Sequence, residues 1–416
     1  MPHPFLPDDV LYRIFEILDL SACPFECRRR DPEWRPKHPL IPFYYVCRQW
    51  MRVADKLVDV NLHLISPDGL VRLLEHLRYG YGCGRFPTKR LWIERSLLRQ
   101  ARKRDQSTLP MQEDLTELFT LLGALKMASI PICLSTMGIT VLFETAGRTL
   151  EVLELRISRN TLPFIAQRLH TLVQVKRIDL VFSSADDDTA ADTMLSLPGR
   201  SKISIPSLRS AAFSFSDWWP ECNDFLAALN FVSLEHLWIK TERLGSNYTL
   251  LLLNLVWFLQ QHSAAITDLH VVTSISANLS PFLTPLQSLR SLRVEYCLWK
   301  LSPRTVPASI VILHLPLFQT QPSDHELYRI GDWATVQAKF FRRLLAAYLP
   351  NLKIVQTNEY PRSNSALDWA MVSDRAEEGV LQTFKSTAVA LKLKGVQLLD
   401  VHGNAYTALS DAVRRT

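Results

Sequence analysis

Two groupings in the sequence carry residue types suited to metal chemistry. Cys23, Cys27, His38 and Cys47 offer thiolate and imidazole, the ligands that zinc prefers. Zinc needs four of them converging tetrahedrally, and structural sites bring them in close pairs. Here three, ten and eight residues intervene, which fits no paired knuckle. These cysteines read as free thiols, and no metal ligand is expected. Asp186-Asp187-Asp188 has the charge for a divalent cation, but an isolated acidic triplet reads as a solvated loop. The eleven histidines give no His-x-x-x-His pair on a helix. Gly80-Tyr81-Gly82-Cys83-Gly84 lacks the dinucleotide spacing and reads as a turn. There is no Gly-x-x-x-x-Gly-Lys loop and no Gly-x-Ser-x-Gly elbow. No catalytic set assembles, so the expectation is a protein that is not an enzyme and needs no cofactor.

What remains is a question of binding, and so of the elements that carry it. The chain has 416 residues, enough for two or three domains or an extended array. At 47% apolar it can bury a sizeable core. Thirteen glycines against 24 prolines suit a doubly wound nucleotide-binding fold poorly. Seven unpaired cysteines point to a reducing compartment. Met1–Leu6 has no basic region leading into an apolar run, so cytoplasm or nucleus is expected. The stretch from Leu118 to Phe143 holds only one charge, Lys126, but Pro131 interrupts it. It reads as a buried helix followed by a buried strand, and no membrane is expected as a partner. Residues 1–110 carry 19 Lys and Arg against 13 Asp and Glu, which is the whole net charge of +6. The remainder is balanced, so nucleic acid is not the expected partner. Arg99-Gln100-Ala101-Arg102-Lys103-Arg104 is a basic run that reads as a solvated linker or a nuclear address.

The first helix is announced by Pro7, then by Asp8 and Asp9, which complement the positive end of its dipole. Leu11, Ile14, Phe15 and Leu18 follow at helical spacing, and Val10 and Ile17 widen the stripe onto a second face. A short helix that is apolar on two sides must bury both. A second helical segment surrounds Val46-Cys47-Arg48-Gln49-Trp50, with Val53, Ala54 and Leu57 in phase.

In this order, Leu6-Pro7-Asp8-Asp9-Val10-Leu11, Ile14-Phe15, Leu18 and Val46-Cys47-Arg48-Gln49-Trp50 resemble the F-box, and the chain looks like the divergent fungal F-box families. The resemblance covers about residues 5–58. It implies that Leu6, Pro7, Leu11, Ile14, Phe15, Leu18, Val46 and Trp50 pack against the Skp adaptor of an SCF-type cullin-RING ubiquitin ligase. The segment Asp19–Pro42 is longer than the family's usual link. Laid over the docking face it would weaken binding; looped outward it would leave the module intact.

Beyond a connecting region at 59–110, the pattern apolar-x-x-apolar-x-apolar recurs from Leu150, Val175, Leu208, Leu234, Ile266, Leu289, Ile310, Leu352 and Val396. Earlier strands are expected at Val60–Leu64 and Lys89–Ile93. Helical segments at Asn223–Phe231, Leu250–His262 and Trp333–Tyr348 lie between the later strands. The fold class expected is α/β: a helical N-terminal module, then an irregular solenoid over 111–416 that resembles leucine-rich repeats, with a curved parallel sheet. Side chains alternate along a strand, so the fifth position of each repeat should share one face. That column reads Trp92, Glu154, Asp179, Ala212, Trp238, His270, Arg293, His314, Gln356 and Asp400. Trp92, Trp238, Lys240, His270, Arg293 and His314 are the candidate target-binding residues, with Trp238 the preferred anchor. If insertions cover the column, the same residues are ordinary core. The function expected is substrate recognition for a ubiquitin ligase. The alternative is a non-catalytic repeat scaffold or nucleic-acid-binding protein with no ligase role.

Overall fold

The computed structural model describes residues 7–21, 46–58, 61–64, 66–80, 88–95, 97, 108–183, 202–217, 219–241, 248–273, 279–295, 301–316, 339–358, 378–400 and 402–405. Leu6, most of the segment 19–42 with Cys23, Cys27 and His38, the basic run 99–104 and the triplet 186–188 lie outside them. Two compact units, Met1–Leu208 and Arg209–Thr416, make up the chain. Both are α/β, and their sheets are parallel throughout the described pairings.

The first unit opens with helices α1 (Asp8–Ser21) and α2 (Arg48–Val58). Strands β1 (Asn61–Leu64), β2 (Arg90–Ile93), β3 (Met127–Cys133), β4 (Val152–Ile157) and β5 (Arg177–Phe182) then pair in chain order. Between them run α3 (Pro67–Gly80), α4 (Thr108–Leu121), α5 (Thr136–Ala146) and α6 (Leu162–Arg168). The stretch expected to be a helix and a strand is α4 followed by β3. Pro131 cannot donate to a ladder, and the β3–β4 register shifts between Ile130 and Cys133 around it. The turn after β3 is tied down by Gln112 of α4, which donates to Cys133 O at 3.0 Å and accepts from Ser135 N at 2.8 Å. Ser135 then caps α5 by accepting from Gly138 N.

The second unit repeats the scheme with β6 (Ser210–Phe215), β7 (His236–Thr241), β8 (Asp268–Thr273), β9 (Ser291–Glu295), β10 (Ile312–Pro316), β11 (Ile354–Asn358) and β12 (Gln397–Leu399), again in chain order. Its helices include α7 (Glu221–Ala228), α8 (Tyr248–His262), α9 (Ser280–Leu283), the helical residues 339–346, and α10 (Glu378–Leu393). Helix α10 ends in a left-handed turn. Gly395, at φ +75°, donates to Lys392 O, and Val396 donates to Leu391 O.

Every strand from β4 to β11 begins two residues after the start of an apolar-x-x-apolar-x-apolar match. Leu150 precedes Val152 and Leu352 precedes Ile354 in this way. The inward residues of β4, Leu153, Leu155 and Ile157, are buried, while Val152, Glu154 and Arg156 are half-exposed. Just before β3 to β5 and β7 to β11 a carbonyl accepts two successive amides. Lys126 O takes Glu151 N and Val152 N, and Val311 O takes Lys353 N and Ile354 N. This doubled bond repeats along both units and fixes the register from one strand to the next.

Candidate partner-binding surfaces

Helices α1 and α2 form a small core of their own. Leu11, Phe15 and Val53 are fully buried, and Tyr12 and Trp50 pack on them. The Phe15 and Trp50 rings meet edge to face, with centroids 5.3 Å apart. Asp8 holds the helices together: its carboxylate accepts from Gln49 Nε2 at 2.8 Å and from Arg52 Nη2 at 2.7 Å. This corrects the expected docking set. Leu11 and Phe15 lie inside the pair and cannot touch a partner, because the stripe at their spacing faces α2. Trp50 is half-buried against the same core.

The second face is left over. Val10, Ile14, Ile17, Leu18, Val46 and Met51 are 37–63% exposed. Pro7 is exposed beside them. Met51 was not singled out from the sequence; its place next to Trp50 in α2 is the signal that could have found it.

The strand column is present in register. Ala212, Trp238, His270, Arg293, His314 and Gln356 stand side by side across β6 to β11. Trp238, His270, Arg293 and His314 are all half-exposed, and Lys240 shares the face of Trp238. The Trp238 and His270 rings lie 5.7 Å apart, tilted by 36°. Burial pushes the His314 imidazole down to about 4, with Arg293 and His270 adding to the effect and Asp268 opposing it. On the neighbouring row, Asp268 accepts from Thr267 Oγ1 at 2.7 Å and sits 3.1 Å from His236 Nδ1.

Three members of the column are corrected. Ala212 stands in the row but is only 4% exposed and belongs to the core. Trp92 is in register with His63 and Ser129 but only 5% exposed, so the face is closed at β2 and Trp92 belongs to the core. Asp400 is not in the row; Leu399 stands opposite Gln356 instead. Asp400 has left the strand. Its carboxylate accepts from His402 N, Asn404 N and Asn404 Nδ2, building a turn.

Within the first unit, Glu154 of β4 stands beside Asp179 of β5. Ser129 Oγ donates to Glu154 at 2.5 Å, and Arg177 clamps Asp179 with bonds of 3.1 and 2.7 Å. The two carboxylates are engaged within the sheet. Among the described residues no group of three or more His, Cys, Asp or Glu could hold a metal ion. Among them, too, no helix is long and apolar enough to cross a membrane.

Compared with protein-family models the chain matches none, and no curated protein matches it.

Proposed function

We propose that the chain is an F-box-type substrate receptor of a cullin-RING ubiquitin ligase. In this reading α1 and α2 dock the Skp adaptor, and the rows of strands form a leucine-rich-repeat-like solenoid that presents a target protein. The observation that carries it is the second apolar face of the helix pair. A pair that served only to cap the sheet would need the closed Leu11–Phe15–Val53 core and nothing more. This pair also leaves six apolar side chains in water, on residues that belong to the F-box pattern or adjoin it. The adaptor-facing set in this reading is Pro7, Val10, Ile14, Ile17, Leu18, Val46 and Met51.

Target recognition falls to Trp238, Lys240, His270, Arg293 and His314. A half-buried tryptophan stacked beside an imidazole and followed by a guanidinium suits a protein segment with both apolar and polar contacts. A cytoplasmic or nuclear setting goes with this role. Co-purification tests the docking. Ile14→Asp with Ile17→Asp places two charges on the exposed face without touching the helix core. The variant is expected to lose the Skp adaptor while keeping its melting temperature. A folded variant that still carries the adaptor would sink the assignment.

A further inference from the structure

The described elements at the far end of the second unit are basic. Residues 339–358 and 378–400 hold seven Lys and Arg against two carboxylates, Glu378 and the buried Asp400, while the intervening 359–377 carry two arginines against four acids. The fold gathers these cations. The helical residues 339–346 and α10 precede neighbouring strands, and Lys394 Nζ at the end of α10 donates to Leu345 O at the end of the other helix.

At three other strand entrances, cations lie against carboxylates. Lys126 and Lys176 both pair with Glu151, at 3.1 and 2.8 Å, and Arg209 lies 3.8 Å from Glu235. At this end Lys339, Arg343, Lys353, Lys385 and Lys392 take part in no ion pair among the described residues.

Large apolar side chains stand in the same place. Tyr348 is 83% exposed, Val389 60% and Leu393 85%. Val389 and Leu393 are one helical turn apart on the outer face of α10, with Lys385 and Lys392 beside them. Tyr348 follows the other helix at the end that Lys394 bridges.

We propose that this end of the second unit binds an anionic lipid surface. Tyr348, Val389 and Leu393 enter the headgroup boundary, and Lys353, Lys385 and Lys392 neutralise the lipid charges. Apolar insertion and a polybasic patch are the two signals that together hold a protein on a membrane without spanning it. Nucleic acid would use the cations but has no use for protruding aliphatic side chains, which is why the lipid is favoured. The inference is independent of the docking face at α1 and α2.

Vesicle co-sedimentation of the full chain tests it. Phosphatidylcholine vesicles containing phosphatidylserine should carry the protein down at low salt, and phosphatidylcholine alone should not. Lys353→Gln with Lys392→Gln should weaken binding about 25-fold, at about fivefold per cation. Val389→Ser with Leu393→Ser should weaken it about tenfold or more. All four sites are at the surface, and thermal melts would check that both variants fold. Failure of the wild-type chain to sediment with the anionic vesicles overturns the proposal. So does full binding by the serine variant, since charge alone would then suffice. Tight capture of single-stranded RNA without vesicle binding would overturn it in favour of a nucleic-acid surface.

Discussion

His314 makes the second unit sensitive to acid, and the size of the effect follows from its surroundings. Its side chain lies in the sheet-face row between Arg293 and Gln356, where burial, then Arg293 and His270, hold its ionisation at about 4 against an ordinary 6.5. The folded imidazole is therefore neutral over a range in which the unfolded one is protonated. The folded value is depressed, so the stabilisation is present above pH 6.5 and is lost as the pH falls toward 4. A shift from 6.5 to about 4 sets a ceiling of about 3 kcal/mol. At pH 5 the loss relative to pH 7 is about 2 kcal/mol. His314→Gln keeps a polar side chain in the row and cannot titrate. The assay is urea unfolding of both proteins, followed by tryptophan fluorescence at a series of pH values. Wild type should lose about 2 kcal/mol more than the variant between pH 7 and pH 5. Whatever constant cost the substitution has at pH 7 cancels in this comparison. His262, buried and also shifted downward by burial, titrates equally in both proteins. Parallel pH curves for the two would refute the assignment of an imidazole held neutral at this position.

Other consequences can be measured directly. His262 links α8 to the next turn, with Nδ1 donating to Phe258 O at 2.7 Å and Nε2 accepting from Phe231 N at 2.9 Å. His262→Ala orphans a buried amide and should cost about 2 kcal/mol or more in urea unfolding. Phe15→Ala should destabilise the helix pair by about 3–5 kcal/mol, read as lost helicity and faster proteolysis at the N-terminus, whereas Ile14→Asp should leave both unchanged. Trp238→Ala should weaken target capture and barely move the melting temperature; a sharp fall in stability would make Trp238 core. Exposed Cys47 should react readily with maleimide in the native protein, while buried Cys222, its thiol pushed up to about 12, should react only after unfolding.

Strand positions were legible because each one depends on a local pattern. Apolar residues two and four places apart give a buried strand face wherever the chain forms a parallel ladder. β3 obeys the same rule from Leu125, but Ala128 fills the middle apolar position and Pro131 breaks the run, so it does not stand out. Trp92 could not be placed from the sequence. Whether the sheet face is open at a given strand depends on what packs over it, and that is not written in the strand. Asp400 was misplaced for a related reason: its carboxylate meets the amides of the following turn better than it would meet solvent, so the strand stops one residue early. At the N-terminus the two apolar faces of α1 were visible, but not which of them would close on α2. The phase of Trp50 and the Asp8–Gln49–Arg52 bonds decide that, and they join residues about 40 apart in the chain. The basic helices of the second unit were hidden because the acids of 359–377, and others in 111–416, cancel them in any sum over sequence.

The order of strands in the second unit has a mechanical consequence. From β6 to β12 the strands of the long sheet pair in chain order, and the one return onto the last strand, among the described residues, is the isolated antiparallel bridge between Leu399 and Ala405. A load applied at the C-terminus would reach β12 first, then β11, then β10. Each step would break one ladder of three to five residue pairs together with its entrance bonds, a single one before β12 and a doubled one before β11 and β10. Pulled at constant speed, such a unit should come apart in a train of small, similar force peaks rather than one large one, and it should re-form from any surviving strand as a zipper does. Heat or urea acts on all the ladders at once, but a pulling or unfolding machine that grips the end meets them one at a time.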